Sequence, residues 1–367
     1  MGKSLAGLVA FAAYAAFAVS VTTACSAEYG GEDHPSSDDV ERERSANGPA
    51  PGSTTTRAPG APNDPSTSGP VTTDLHHSEK GDPKDQPVVY IHGGPGANSM
   101  MFELTVHDPI AKLGYHVVAY DQRGSTRSPK GTSAEHSFAS ATQDLDDLIS
   151  ALGLAKPILL AHSFGGSIAL HYLERFPGKA KGAVLVASPI DFPQTYETTL
   201  TQCASRYRLW GRFPDAQTVD ALRSKMFPRG VTAPFTYGDA EIEATIECQS
   251  KAMLYFPPTP TQGDVRFGMV QMQNPDVSDV NTSVGSGFQA NDKVGHASYA
   301  SLLAKHKSEV IGIYAPSWDV MFSKAQLATI QANVRSYLTV PDAGHFIFMD
   351  QPEAFTAAAG EALAQLE

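Results

Sequence analysis

Short apolar runs alternate with amphipathic segments between residues 87 and 187. The runs have the length and the β-branched content of buried strands. They are residues 87–91 (PVVYI), 117–120, 157–161 (PILLA) and 182–187 (GAVLVA). Residues 144–152 and 164–176 lie between them and place their apolar side chains at helical spacing. Strands that alternate with helices predict an α/β fold with a mostly parallel, doubly wound sheet.

The alternation stops near residue 189 and resumes near residue 306. The interruption is rich in Phe, Tyr, Pro and Asp, and it predicts helices near 196–207 and 239–254. The pattern then predicts strands at 309–314 and 336–340 and a closing helix at 352–366. We therefore expect one α/β domain formed by residues 71–188 and 307–367, with a mainly helical cap inserted at 189–306.

The N-terminus has the pattern of an export signal. After Lys3, residues 5–21 form a run of seventeen residues without a charge, which Thr22, Thr23, Ala24 and Cys25 follow. A Cys after a small residue resembles the lipobox of bacterial lipoproteins, although Thr22 stands where an aliphatic residue is usual. We expect a signal peptide at 1–24 and a lipid on Cys25. Free secretion and an uncleaved anchor are the alternatives, and all three place the body outside the cytoplasm.

A polar segment follows the signal. In residues 45–70, 24 of 26 are Ser, Ala, Asn, Gly, Pro or Thr, so burial cannot offset the entropy of ordering them. We predict a disordered tether at 25–70. The membrane is then a partner only through the N-terminal lipid or anchor.

Charge and cysteine content narrow the possibilities. The net charge of −12 opposes the phosphate contacts that nucleic-acid binding needs, so no nucleic-acid partner is expected. With Cys25 lipidated, Cys203 and Cys248 remain in an oxidising compartment. We predict a disulfide between them, and two buried free thiols are the alternative.

The clearest chemical signal is Ser163, in the sequence AHSFGG between a predicted strand and a predicted helix. A Ser on such a tight turn has a strained backbone and an exposed hydroxyl, and small residues nearby prevent a clash. Ala161 and Gly165 meet this requirement, although Ala161 replaces the usual glycine. We predict that Ser163 is a nucleophile; a simple helix cap is the alternative.

A serine nucleophile needs an imidazole to take its proton and a carboxylate to orient that imidazole. His345 lies on a glycine-containing loop after a predicted strand. The general base is expected at this place when the nucleophile lies on a strand-to-helix turn like that of Ser163. Asp319 follows the preceding strand and emerges at the same sheet edge. Asp342 is the rival acid, but three residues from His345 it would struggle to reach the far ring nitrogen.

Two N–H donors must face the oxyanion that forms in such a reaction. We expect one from Phe164, directly after the nucleophile, and one from Gly94 in the HGGPG run at 92–96. A simple glycine-rich turn is the alternative for this run. It lacks the spacing and the Lys-Ser/Thr ending of a phosphate-binding loop.

Together, HGGPG, the DQRGSTRS run at 121–128, AHSFGG, Asp319 and Gly344-His345 resemble the α/β-hydrolase superfamily. Within it, the HGGPG and DQRG pair resembles the proline iminopeptidase branch of serine peptidases. The resemblance covers about residues 87–367 except the insertion, and it implies a cap there. Arg123 in this run is expected to hold its loop rather than to take part in chemistry.

In proline iminopeptidases, acidic cap residues hold the substrate's amino group. Four acidic residues of this cap share one predicted helix: Asp239, Glu241, Glu243 and Glu247. The branch's Trp-Glu cap signature is absent, so these residues cannot be matched one by one. A solvated acidic helix face is the interpretation that we favour.

We therefore expect a serine hydrolase of small esters or short peptides, either an iminopeptidase-like exopeptidase or a carboxylesterase. No metal or organic cofactor is required by this chemistry. Dehalogenase or epoxide hydrolase chemistry would need a carboxylate in place of Ser163. The alternative from another class is a non-catalytic, surface-tethered binding protein on a hydrolase scaffold.

Overall fold

A computed structural model describes residues 73–255, 262–317 and 319–367. The expected signal peptide, the tether and the lipid site at Cys25 lie outside the described residues. No helix within the described ranges is long and apolar enough to cross a membrane.

The core is a seven-stranded sheet in the order β1-β3-β2-β4-β5-β6-β7. Its strands are β1 (His77–Lys80), β2 (Gln86–Ile91), β3 (Tyr115–Tyr120), β4 (Ile158–His162), β5 (Gly182–Val186), β6 (Val310–Tyr314) and β7 (Ser336–Thr339). Only β1 is antiparallel to its neighbour, and the other pairs are parallel. The predicted mostly parallel sheet is therefore confirmed.

Helices cover both faces of this sheet. Between β2 and β5 they are α1 (Met100–Thr105), α2 (His107–Ala111), α3 (Phe138–Ala151) and α4 (Gly165–Arg175). The insertion contributes α5 (Phe192–Leu209), α6 (Phe213–Met226), α7 (Asp239–Lys251), α8 (Gln262–Gln273), α9 (Thr282–Asp292) and α10 (Ala300–Lys305). The last part adds α11 (Lys324–Ala332), α12 (Ile347–Asp350) and α13 (Pro352–Ala364). Strands β3, β4, β5 and β6 are buried along their whole length, as a sheet covered on both faces requires.

The insertion packs as two parts. Side chains of α5, α6 and α7 form a small core of their own, which includes Leu200, Tyr207 and Ile242. By contrast, Phe267 of α8 and Phe288 of α9 join the main core over the sheet. The structure pairs Cys203 of α5 with Cys248 of α7, with their Cα atoms 6.2 Å apart, inside the small core.

Candidate active site

Ser163 lies on the sharp turn between β4 and α4. Its φ is +53°, a left-handed conformation that is strained for a residue with a side chain. The two glycines that follow allow α4 to approach the sheet closely. A Cβ on Gly165 would lie 2.3 Å from the Ile91 carbonyl oxygen, and one on Gly166 would lie 2.4 Å from Ser188 Oγ. The turn therefore has the strained backbone and the crowded glycines that its sequence predicts.

His345 joins Ser163 to Asp319. Its Nε2 lies 2.9 Å from Ser163 Oγ and its Nδ1 lies 3.0 Å from Asp319 Oδ2. With Nδ1–H donating to the carboxylate, Nε2 is free to accept the Ser163 hydroxyl proton. His345 and Asp319 are buried, and Ser163 is 9% exposed. The structure thus brings together three residues that lie far apart in the sequence.

The acid in contact with the imidazole is Asp319, on the loop after β6. Its Oδ1 accepts from the Met321 N–H at 3.2 Å, and its own N–H donates to the Ala315 carbonyl at 3.1 Å. Asp342, the rival in the sequence, is exposed on the loop before His345. The preference for Asp319 therefore agrees with the geometry.

Three hydrogen bonds fix the backbone around His345. The Gly344 N–H donates to Asp350 Oδ2 at 2.7 Å, and the His345 N–H donates to the Tyr255 carbonyl at 3.1 Å. His162 Nε2 donates to the His345 carbonyl at 3.0 Å. Sequence reasoning assigned no role to His162, Asp350 or Tyr255. The one available signal was His162, a polar residue ending an apolar strand, because a buried polar side chain needs a partner.

Burial, together with the positive charge that His345 can carry, lowers the pKa of His162 to about 3. His162 therefore stays neutral at any pH near neutrality. Its hydrogen bond to the His345 carbonyl helps to hold the His345 loop in place.

The HGGPG loop lies directly against Ser163. A Cβ on Gly93 would lie 2.5 Å from Ser163 Cβ and 3.2 Å from its Oγ, so only glycine fits there. Gly94, the predicted oxyanion donor, comes next with φ +50°. Phe164, the other predicted donor, follows Ser163 directly and precedes the first residue of α4. Both donor roles remain predictions.

His92 ties this loop to the DQRG run. Its Nδ1 donates to the Gly93 carbonyl at 3.0 Å, and its Nε2 accepts from the Gln122 N–H at 3.0 Å. The Gln122 side chain donates in turn to the His92 carbonyl at 2.7 Å. Burial lowers the pKa of His92, which keeps the ring neutral and able to accept.

The charged residues of the DQRG run form ion pairs within the protein. Arg123 donates two hydrogen bonds to Asp144, at 2.9 and 2.7 Å, which agrees with its expected loop-holding role. Arg127 donates to both carboxylate oxygens of Asp121 at 2.8 Å and to Glu103 at 2.6 Å. Burial alone would raise the pKa of Asp121, but the Arg127 hydrogen bonds and nearby positive charge outweigh it and hold the pKa at about 2.

The cap covers the site with aromatic side chains. The ring of Phe164 packs against Phe288 of α9 at 4.9 Å and Phe192 of α5 at 6.2 Å between centroids. Asn281, just before α9, holds the cap to the HGGPG loop and to the DQRG loop. Its N–H donates to the Gly96 carbonyl and its side chain donates to the Gly124 carbonyl, each at 2.9 Å.

The acidic residues of α7 face solvent or lysines. Glu241 pairs with Lys225 at 2.5 Å and also accepts from the Gly238 N–H at 2.9 Å. Glu247 pairs with Lys251 of its own helix at 2.6 Å. The other two, Asp239 and Glu243, are exposed. This arrangement agrees with the solvated acidic face that we favoured.

Comparison with known proteins shows which family this chain resembles. The family described as the α/β hydrolase fold matches residues 86–225. Proline iminopeptidase of Xylella fastidiosa (strain 9a5c) is 32% identical over 112 residues, which are 30% of this chain and 35% of that protein. The match thus spans about a third of the length of this curated relative.

Solved structures resemble more of the chain. A proline iminopeptidase-related protein from Thermus thermophilus has a TM-score of 0.62 at 25% identity, covering 80% of this chain and 94% of that one. An esterase from Exiguobacterium antarcticum has a TM-score of 0.53 at 17% identity, covering 80% and 95%, and shares the fold. The chain therefore has the α/β-hydrolase fold, and its sequence resembles the proline iminopeptidase branch of that superfamily.

Proposed function

We propose that the protein is a serine hydrolase that cleaves small acyl substrates through an acyl-enzyme. The observation that carries this proposal is the continuous line of contacts from Ser163 Oγ through the His345 ring to Asp319, at 2.9 and 3.0 Å. A buried imidazole held between a hydroxyl and a carboxylate is the arrangement that activates a serine.

In the proposed mechanism, His345 Nε2 takes the Ser163 proton while Oγ attacks the substrate carbonyl carbon. The Phe164 and Gly94 N–H groups donate to the oxyanion, and each such donor typically lowers the barrier by about 3 kcal/mol. The imidazolium returns the proton to the leaving group as the carbonyl reforms. Water then attacks the acyl-enzyme and gives a proton to His345, and the imidazolium passes that proton to Ser163 Oγ as the ester bond breaks and the acid leaves.

Two substrate classes compete for this site. Similarity to proteins named proline iminopeptidase, or related to them, supports an amide with an N-terminal proline as the substrate. The acidic residues of α7 support an ester substrate instead. Two of them pair with Lys225 and Lys251, and the other two are exposed to solvent. None of them is therefore placed to bind a substrate amine. The aromatic cover over Ser163 suits small apolar acyl groups in either case.

The test begins with a fluorophosphonate probe on the full chain. We expect the wild type to be labelled at Ser163 and Ser163→Ala to lose both the label and at least about 10³-fold of its hydrolytic rate. The matched control is Ser167→Ala, which removes a buried hydroxyl one helical turn further along α4. It should keep the label and most of the rate.

Substrate preference is measured on the same proteins with proline p-nitroanilide and p-nitrophenyl acetate. Turnover of the anilide would assign the iminopeptidase reaction, and turnover of the ester alone would assign a carboxylesterase. If the folded wild type is neither labelled nor active, the hydrolase proposal fails. A binding protein on a hydrolase scaffold would then replace it.

A further inference from the structure

The predicted oxyanion donor Gly94 belongs to a peptide group that lies between two glycines. The Gly93 carbonyl and the Gly94 N–H are parts of this one planar trans peptide, so they point in opposite directions. Glycine adopts positive and negative φ about equally well, so the sterics of the two residues do not decide which way the peptide faces. If the peptide flipped, its carbonyl would replace its N–H. A contact from outside the peptide must therefore fix its orientation.

His92 supplies such a contact. Its ring is buried, and its Nδ1 donates to the Gly93 carbonyl at 3.0 Å. This bond holds the carbonyl on the side of the His92 ring, so the Gly94 N–H points to the other side. Among the described residues that N–H has no acceptor, and neither has the N–H of Phe164. Both predicted donors are therefore available to an oxyanion formed at Ser163.

Gln122 determines which nitrogen of the His92 ring carries the proton. The Gln122 backbone N–H lies 3.0 Å from His92 Nε2, and an N–H can only donate, so the proton of the neutral ring is on Nδ1. The Gln122 side chain also donates to the His92 carbonyl at 2.7 Å. Both carbonyls that precede Gly94 are thus held, one by Gln122 and one by the ring that Gln122 orients.

The sheet and a helix keep this pair of residues in place. His92 follows β2 directly and Gln122 lies just after β3, and these two strands are parallel neighbours in the sheet. On the other side, a Cβ on Gly165 of α4 would lie 2.7 Å from the His92 carbonyl oxygen. The residue that orients the Gly94 peptide is therefore confined by rigid elements on both sides.

We propose that His92 is a positioning residue for the oxyanion donor: its Nδ1–H bond to the Gly93 carbonyl keeps the Gly94 N–H turned toward the oxyanion, and Gln122 keeps the ring in the tautomer that makes this bond. The inference rests on the proposed serine hydrolase reaction. It goes beyond that reaction because it gives two residues that do not touch the reacting atoms a part in stabilising the transition state.

The test compares p-nitrophenyl acetate with its thiono analogue, in which sulfur replaces the carbonyl oxygen. Sulfur is a weak hydrogen-bond acceptor, so the thiono substrate gains little from the oxyanion donors. The ratio of kcat/KM for the oxygen ester to kcat/KM for the thiono ester therefore measures how well those donors are placed. His92→Phe keeps a buried ring without a nitrogen. We expect it to lower kcat/KM for the oxygen ester by about 10- to 100-fold and the ratio by at least about fivefold.

Three further variants separate this role from a defect in folding. His92→Asn retains a side-chain N–H close to the place of Nδ1, so it should recover most of the ratio. Gln122→Met removes the side-chain amide that holds the His92 carbonyl and should lower the ratio. His107→Phe is the matched control, since His107 is also buried and donates to a backbone carbonyl, that of Val117, at 2.9 Å. It should lower stability and leave the ratio unchanged.

Two results would overturn the inference while the wild type is labelled by the fluorophosphonate and hydrolyses the oxygen ester. One is a wild-type ratio in both His92→Phe and Gln122→Met, with circular dichroism showing that the proteins are folded. The other is a loss of the ratio in His92→Asn as large as in His92→Phe, which would deny the role of the Nδ1–H. A wild type that is neither labelled nor active would instead overturn the proposed function, and this inference with it.

Discussion

His345 is held by contacts on both sides of its peptide backbone. The preceding N–H, that of Gly344, donates to Asp350 Oδ2 at 2.7 Å, and the His345 carbonyl accepts from His162 at 3.0 Å. The ring can remain within reach of both Ser163 and Asp319 only while this backbone stays in place. Asp350 is therefore a positioning residue for the proposed base.

We predict that Asp350→Ala lowers kcat by about 10- to 100-fold with little change in KM, because a small displacement of a base costs rate rather than ground-state binding. Steady-state kinetics measures kcat and KM separately, with whichever of proline p-nitroanilide and p-nitrophenyl acetate is hydrolysed faster. Asp342→Asn is the matched control, since it removes an exposed negative charge from the same loop and asparagine tolerates the left-handed backbone (φ +55°) at this position. An equal loss in both variants would contradict the positioning role.

The sequence was informative for Ser163, Asp319 and His345 because each follows a strand of a parallel sheet, and such strands end at one edge. It was silent on Asp350. Its contact with Gly344 depends on how the loop turns between β7 and α12, and no local pattern encodes that turn. The hydrogen bond from His162 to the His345 carbonyl joins residues 183 apart, so no local sequence pattern could predict it either.

At the scale of elements, the buried strands were predicted to within about two residues, since β-branched apolar runs of four to six residues are typical of buried strands. Strand β1 was missed. It has four residues, HSEK, and none of them is buried. The strand forms because it pairs with β3, although its own sequence has no strand pattern. The short helices α1 and α2 were missed because five or six residues hardly show a helical period.

The division of the insertion into two packed parts could not be predicted, because it depends on which helices contact the sheet. The part formed by α5, α6 and α7 has a small core, and Cys203 and Cys248 lie within it. A cross-link that closes a loop of 45 residues is worth about 4 kcal/mol in the chain-entropy model.

We predict that Cys203→Ser with Cys248→Ser destabilises these three helices before the main domain. Limited proteolysis followed by mass spectrometry should find first cuts between residues 192 and 251 in the variant, at least about tenfold faster than in the oxidised wild type. Wild type treated with a reductant should match the variant. Unchanged cutting in both would show that the small core is stable without the cross-link.

At the scale of the whole molecule, several histidines are buried as neutral rings. Burial is the largest cause that lowers the pKa of His92, His107 and His162. His107 Nε2 donates to the Val117 carbonyl at 2.9 Å, and His92 Nε2 accepts an N–H, so protonation of His92 would break a bond. These rings connect the sheet, the HGGPG loop and the His345 loop. Acid should therefore weaken the fold at the same places that position the site.

The sign of the pH dependence follows from these shifts. In the unfolded chain His92, His107 and His162 protonate near pH 6.5, whereas in the folded chain burial lowers the pKa of each, so the free energy of unfolding falls as pH drops below about 6.5. Each such histidine contributes a slope of up to about 1.4 kcal/mol per pH unit, and the slope from His162 continues to about pH 3. Below about pH 4, protonation of Asp121, whose folded pKa is about 2, adds to the loss.

Urea unfolding at pH 7.5, 6.5, 5.5 and 5.0, at constant salt, measures this slope. We expect stability to be nearly level above pH 7 and to fall below about pH 6.5, with a net uptake of protons on unfolding. His162→Gln keeps a donor for the His345 carbonyl but cannot titrate, so its slope should be smaller by about one proton. A wild type whose stability is flat from pH 7 to 5 would mean that these rings charge freely in the folded state, against the burial and the hydrogen bonds that hold them neutral.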